Sequence, residues 1–247
     1  PMKMFIDGKA VDSADGQTIE VTNPATGEVV DSVPAATAED VARAVACAKA
    51  AQPKWNQVPV HERVELMMRF LELVERDKEK LARTLSDETG KPITEARAEI
   101  GNIPIAFKAF SERAKHLYDE VIPAGFETGQ DKTVLITRRE PLGVVAAVIP
   151  FNFPCDLFDQ KVAPALLSGN SVIVKPSTDN PLTLCMLTAL LGEAGVTPGA
   201  VQIVTGRGSV VGHELTSNPD VDLVTLTGST EVGIETAEVC AKTLTHT

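Results

Sequence analysis

The stretch Gly143–Lys175, GVVAAVIPFNFPCDLFDQKVAPALLSGNSVIVK, decides how the rest of this chain is organised. Its apolar run from Val144 to Ile149 ends at Pro150, and Phe151-Asn152-Phe153-Pro154 follows. A helical pattern then runs to Leu167, Ser168-Gly169-Asn170 makes a turn, and a second apolar run covers Ser171 to Val174. Strand, helix and strand within about thirty residues is the size of one right-handed crossover between parallel strands. Open α/β sheets hold their ligands beyond the carboxyl ends of those strands. Asn152 and Lys175 each fall just past one. An amide and an ammonium at one sheet edge suit an oxyanion and a sugar-phosphate. On spacing alone, a loop asparagine and a surface lysine remain the alternative.

The same alternation continues to the C-terminal side. Strands are predicted at 144–149, 171–175, 201–205 and 223–226, with helices near 156–167, 182–194, 209–217 and 231–242. Four parallel strands with intervening helices make a doubly wound, Rossmann-like α/β sheet. Glycine-rich turns follow its strands. Gly206-Arg207-Gly208-Ser209-Val210-Val211-Gly212 is GxGxxxG, so the usual dinucleotide fingerprint GxGxxG is not met, and no P-loop is present. In Gly228-Ser229-Thr230-Glu231-Val232-Gly233, small residues meet a helix start, where free N–H groups can hold a phosphate. Capping of that helix by Ser229 or Thr230 is an equal reading.

Upstream the pattern differs. Residues 4–33 alternate short β-type runs with turns at Asp7-Gly8, Asp15-Gly16, Asn23-Pro24 and Thr26-Gly27, which predicts a small antiparallel meander. Thr37 is an N-cap candidate for a helix to about Gln52, where Pro53 should break it. A second helix starts near Val60. Val64, Met67, Leu71, Val74, Leu81 and Leu85 recur along it at helical spacing as core residues. Gly90 and Pro92 predict a stop and a restart. A third helix should run from Ile93 to Leu117, interrupted by Gly101 and Pro104. The segment from Asp119 to Arg139, strand-like at 133–139, predicts a β-ribbon that leaves the body, with open edges suited to a dimer contact. Three segments follow: 1–118 as meander and helices, 119–142 as ribbon, 143–247 as the Rossmann-like region.

The 247 residues are 43% hydrophobic with no apolar run long enough for a membrane span, and the N-terminus has no export pattern. A soluble, cytoplasmic protein is expected. A net charge of −11 argues against nucleic acid or an anionic membrane as partner. Cys47, Cys155, Cys185 and Cys240 show no CxxC or Cys/His pairing, so reduced thiols and no metal site are expected.

Several stretches, taken in order, resemble the NAD(P)-dependent aldehyde dehydrogenases. They include Glu88-Thr89-Gly90-Lys91-Pro92, Pro141-Leu142-Gly143-Val144, Pro150-Phe151-Asn152-Phe153-Pro154, Lys161-Val162-Ala163-Pro164-Ala165-Leu166, Val174-Lys175-Pro176-Ser177 and Gly228-Ser229-Thr230-Glu231-Val232-Gly233. The resemblance runs through the whole chain. It implies that Asn152 supplies the amide that stabilises the oxyanion of a cysteine thiohemiacetal. It implies a cofactor-binding set of Ile149, Pro150, Phe151, Lys175, Ser177, Thr178, Gly208, Gly212, Gly228, Ser229, Thr230, Val232 and Gly233. In that set Lys175 holds the adenosine ribose, Gly208 and Gly212 lie near the adenine, and Ser229 donates beside the pyrophosphate. The ribbon becomes an oligomerisation arm of a homodimer or homotetramer. Phe153, Leu157, Phe158 and Gln160 line one wall of the substrate path or form a buried helix face.

Two departures shape the expectation. The family's cysteine nucleophile and its glutamate base, in a Glu-Leu-Gly-Gly context, lie downstream of the Gly-Ser-Thr turn, and residue 247 precedes both. Cys155 follows Pro154, where no nucleophile is placed, and reads as packing. The chain is therefore expected to be the cofactor-binding half of an enzyme oxidising an aldehyde to a carboxylate or an acyl-thioester product, inactive alone. The alternative is a non-catalytic nucleotide-binding or assembly module. Strongly NAD-selective members commonly carry glutamate where this chain has Thr178, so NADP is expected to bind at least as well as NAD.

Overall fold

The computed structural model describes residues 1–247. Its architecture grows from strands whose alternate residues face opposite sides. In β7 (Val144–Val148), Val144 and Ala146 enter one apolar core, while Val145 and Ala147 enter another. In β8 (Ser171–Lys175), Ile173 faces the first core, and Val172 and Val174 face the second. A strand buried on both faces is what a central parallel strand requires. The parallel sheet is completed by β9 (Val201–Ile203) and β10 (Leu223–Leu226), and its order is β10-β7-β8-β9. The chain moves outward through β8 and β9, then returns to the far side of β7. That reversal places a topological switch point between β7 and β10, where a crevice opens beyond the strand ends. The doubly wound α/β fold expected from the sequence is present.

The N-terminal segment forms two separate hairpins instead of one meander. β1 (Met4–Ile6) and β2 (Lys9–Val11) pair with each other, and β1 extends the large sheet antiparallel to β9 through Phe5 and Ile203. β3 (Thr18–Thr22) and β4 (Val29–Pro34) form a two-stranded sheet of their own. Turn chemistry at short range marks each hairpin, while the sheet-edge pairing joins residues almost two hundred positions apart.

The four helices that follow differ from expectation mainly at their interruptions. α1 (Ala38–Asn56) begins at Thr37, which exchanges hydrogen bonds with Asp40 in a capping box. It continues through Pro53, because the proline lies in the last turn and buried Trp55 anchors that turn by donating Nε1–H to the Leu166 carbonyl at 2.9 Å. The single helix expected from Val60 is two, α2 (Val60–Arg76) and α3 (Lys78–Thr89), joined at Asp77. Gly90 ends α3 at φ 72°, and a Cβ there would meet Pro24 Cγ at 2.8 Å, so glycine is required twice over. α4 (Ile93–Ala114) runs unbroken through Gly101 and Pro104, and stops short of Leu117. Burial of Ile100, Ile103 and Phe107 against α5 (Pro154–Leu167) and the sheet-facing core outweighs the local penalties.

β5 (Val121–Ile122) and β6 (Leu135–Ile136) pair into the ribbon, shorter than the strand expected over 133–139. α5 and α6 (Leu182–Glu193) pack on one face of the large sheet with α2 to α4 outside them; α1, α7 (His213–Ser217) and α8 (Thr230–Cys240) cover the other. No helix is long and apolar enough to cross a membrane.

Candidate functional site

A cleft of about 600 Å³ opens beyond the sheet, at the switch point. Val148, Lys175 and Leu226, each the last residue of its strand, form its inner end. A π-helical turn, Gly208–Gly212, forms one side, and α8 forms the other through Val232, Glu235, Thr236 and Val239. A Cβ added at Gly208 or Gly212 would meet nothing within 4 Å, so both glycines leave that side open. The Lys175 ammonium is buried, and its only partner is the carbonyl of Pro176, at 2.8 Å. Burial depresses its pKa to about 8, while Asp179 acts in the opposite direction. An ammonium held out of water beside open backbone is ready for an anionic or hydroxylated ligand.

The expected cofactor residues do not all meet in this cleft. Lys175, Gly208, Gly212 and Val232 line it. Phe151 and Thr178 line a separate pocket of about 370 Å³, which buried Glu88 also borders. The Thr178 hydroxyl donates to the Gly206 carbonyl at 3.3 Å and is engaged rather than free. Ile149, Pro150, Ser177, Gly228, Ser229, Thr230 and Gly233 line neither space. Ile149 is buried, and its N–H donates to the Lys175 carbonyl, tying the two strand ends together. The Ser229 hydroxyl caps α8 by accepting from Val232 N–H at 3.3 Å, so capping is the state realised here. Sequence reasoning missed His213, Thr216, Glu235, Thr236 and Val239. The spacing of Val232, Glu235, Thr236 and Val239 marks one face of a helix, which was the available signal.

Asn152 stands apart on an exposed loop between β7 and α5. Three side chains from separate elements hold that loop by its backbone. Asn180 Nδ2 donates to the Phe151 carbonyl at 2.6 Å, Lys91 Nζ donates to the Asn152 carbonyl at 3.0 Å, and Glu99 Oε1 accepts from Cys155 N–H at 2.8 Å. Cys155 is fully buried, and desolvation raises its thiol pKa well above the ordinary value, as a packing role requires. Phe158 belongs to the core, while Phe153 and Gln160 are exposed.

Behind the loop, Asp159 of α5 is buried and its Oδ1 finds no hydrogen-bond partner. Burial first, then the charge of Asp156, raises its pKa to about 8. An unfolded aspartate titrates near 3.9, so the folded chain holds the extra proton between about pH 4 and pH 8, and stability falls as pH rises across that window. Asp159→Asn removes the titration. Relative to wild type the variant should gain about 3–4 kcal/mol as pH rises from 5 to 8. Urea unfolding at both pH values checks this, and an unchanged difference would contradict it.

The fold and the cleft together define a doubly wound α/β domain with an open crevice at its switch point. The model of the aldehyde dehydrogenase family matches residues 10–247, and the chain belongs to that family. A glutarate-semialdehyde dehydrogenase of Pseudomonas aeruginosa is 39% identical over 238 residues, which are 96% of this chain and 48% of the relative. The crystal structure of an E. coli NADP-dependent enzyme superposes with a TM-score of 0.94 at 36% identity, covering 98% of this chain and 50% of that one. That of an NAD-dependent aldehyde dehydrogenase from Sinorhizobium meliloti gives 0.94 at 37%, covering 99% and 48%. The chain spans about half the length of the curated relatives it matches.

Proposed function

We propose that this chain is the cofactor-binding half of an NAD(P)-dependent enzyme that oxidises an aldehyde to a carboxylate, with its cysteine nucleophile and glutamate base outside these 247 residues. The observation that carries the reading is the cleft at the switch point, closed at its inner end by a buried ammonium and walled by open backbone. Lys175 holds the adenosine ribose or its 2′-phosphate, and Gly208 and Gly212 let the ligand approach the π-helical turn. Gly228 to Gly233 offer the pyrophosphate the start of α8, once Ser229 exchanges its cap for a ligand oxygen. When bound, NAD(P)+ supplies the hydride acceptor. Asn152 donates its amide to the aldehyde oxygen as negative charge develops there. The ribbon, with Val121 and Ile136 exposed, serves contact between subunits.

NADP is the preferred or equal cofactor on this reading, because position 178 carries no carboxylate to repel a 2′-phosphate. Two unit charges about 4 Å apart at an effective dielectric near 20 interact by about 4 kcal/mol before screening. Thr178→Glu should weaken NADP about tenfold or more, equivalent to about 1.4 kcal/mol, and leave NAD nearly unchanged. Calorimetry with both cofactors on this chain tests the assignment. A wide wild-type preference for NAD, or an unaltered ratio in the variant, removes position 178 as the selector. A non-catalytic binding module would show the same affinities, but aldehyde-dependent NADPH formation by the complete gene product separates the two.

A further inference from the structure

The motif Glu88-Thr89-Gly90-Lys91-Pro92 has so far been given no chemical role, and its lysine lies beside the Asn152 loop. Gly90 reverses the chain at the end of α3, and Ser86 Oγ donates to the Lys91 carbonyl at 2.7 Å, which fixes the turn. From that turn Lys91 Nζ reaches three groups. It pairs with the Glu99 carboxylate, donates to the Asn152 carbonyl at 3.0 Å, and stands 4.8 Å above the Phe153 ring. Glu99 is 3% exposed, and its other oxygen accepts Cys155 N–H at the first turn of α5. One ion pair thus holds both ends of the segment Asn152–Cys155.

We propose that Lys91, through its ion pair with Glu99, is a positioning residue for Asn152, setting where the amide stands when an aldehyde oxygen approaches. The inference rests on the oxyanion reading of Asn152. The Asn152 side chain is exposed and bonds no protein group, so its aim is set by the backbone that carries it. Only its carbonyl and the residues on either side are tied down. A donor must be placed before charge develops to be effective, and a displacement of about 1 Å can lower a rate by about a hundredfold. Lys91 lines no part of the cofactor cleft, so its effect should fall on turnover and not on cofactor affinity.

Lys91→Met alone would leave Glu99 buried and unpaired, so Lys91→Met with Glu99→Gln is the cleaner variant. It removes both charges and retains an acceptor for Cys155 N–H. In the complete gene product, kcat should fall about tenfold or more while the Kd for NADP stays within about twofold. In an Asn152→Ala background the same pair of substitutions should have almost no further effect, because no amide remains to aim. Amide exchange over 151–155 should accelerate about tenfold in this chain, with global melting little changed. A kcat loss of equal size with and without Asn152 would assign a purely structural role and overturn the proposal, as would unchanged exchange and unchanged kcat. If Asn152→Ala by itself leaves kcat intact, the oxyanion reading fails and the catalytic inference with it, whatever the exchange shows.

Discussion

Asn152→Ala in the complete gene product is expected to lower kcat by about a hundredfold or more and leave the Kd for NADP within about twofold. The argument starts from position. β7 is buried on both faces and ends at Val148, so the segment after it must emerge at the carboxyl edge of the sheet. Pro150 and Pro154 bracket that segment, and three side chains hold its backbone. Asn152 is left with a free amide on a held loop. An amide placed in advance stabilises developing negative charge without reorganising, which is why losing one such donor lowers the rate while ground-state binding is spared. Asn152 does not line the cleft proposed for the cofactor, so the split between turnover and cofactor affinity is part of the expectation. Initial rates at saturating NADP, with a separate NADP titration, decide it. A kcat within about threefold of wild type would remove Asn152 from the chemistry.

Lys175→Met should produce two effects of opposite sign. NADP affinity should fall about a hundredfold, since the only lysine or arginine lining the cleft is removed. The cofactor-free chain should at the same time become more stable near pH 7. Burial depresses the pKa of Lys175 to about 8, whereas an unfolded lysine titrates near 10.4. Below about pH 8 both states are charged, and the folded state bears a desolvation penalty of about 3 kcal/mol. Between about pH 8 and pH 10.4 the unfolded state binds more protons, so wild-type stability rises with pH across that window. The methionine variant lacks both the penalty and the rise. Binding follows the reverse course. A phosphate favours the charged ammonium, so wild-type NADP affinity should weaken as pH climbs above about 8, and the variant should show no such slope. Denaturation curves and calorimetry from pH 6 to pH 10 read both quantities. A variant that loses stability along with affinity would show that Lys175 supports the fold instead of the ligand.

The parts of this protein legible from sequence are those written in neighbouring residues. Continuous apolar runs over Val144–Ile149 and Ser171–Val174 announced strands, and the structure buries them on both faces, where side chains pointing to either side both meet apolar surroundings. Thr37 with Asp40 announced a helix start, and Gly90 a stop, because caps are satisfied within a few residues. Asn152 and Lys175 could be placed at the sheet edge for the same reason, Asn152 a few residues beyond the end of β7 and Lys175 at the end of β8. Only the tertiary structure decided the rest. Pro53 and Pro104 lie inside helices because Trp55, Ile103 and Phe107 bury apolar surface that exceeds the local penalty. The first hairpin joins the large sheet through Phe5 and Ile203, a pairing no local pattern encodes. Thr178 points its hydroxyl to Gly206, and Lys91 reaches Asn152 across sixty-one positions, because both contacts depend on how finished elements dock. Propensity and capping act within a turn or two of chain. The partner of a side chain that leaves its own element is set by packing between elements, and that is settled only when the fold closes.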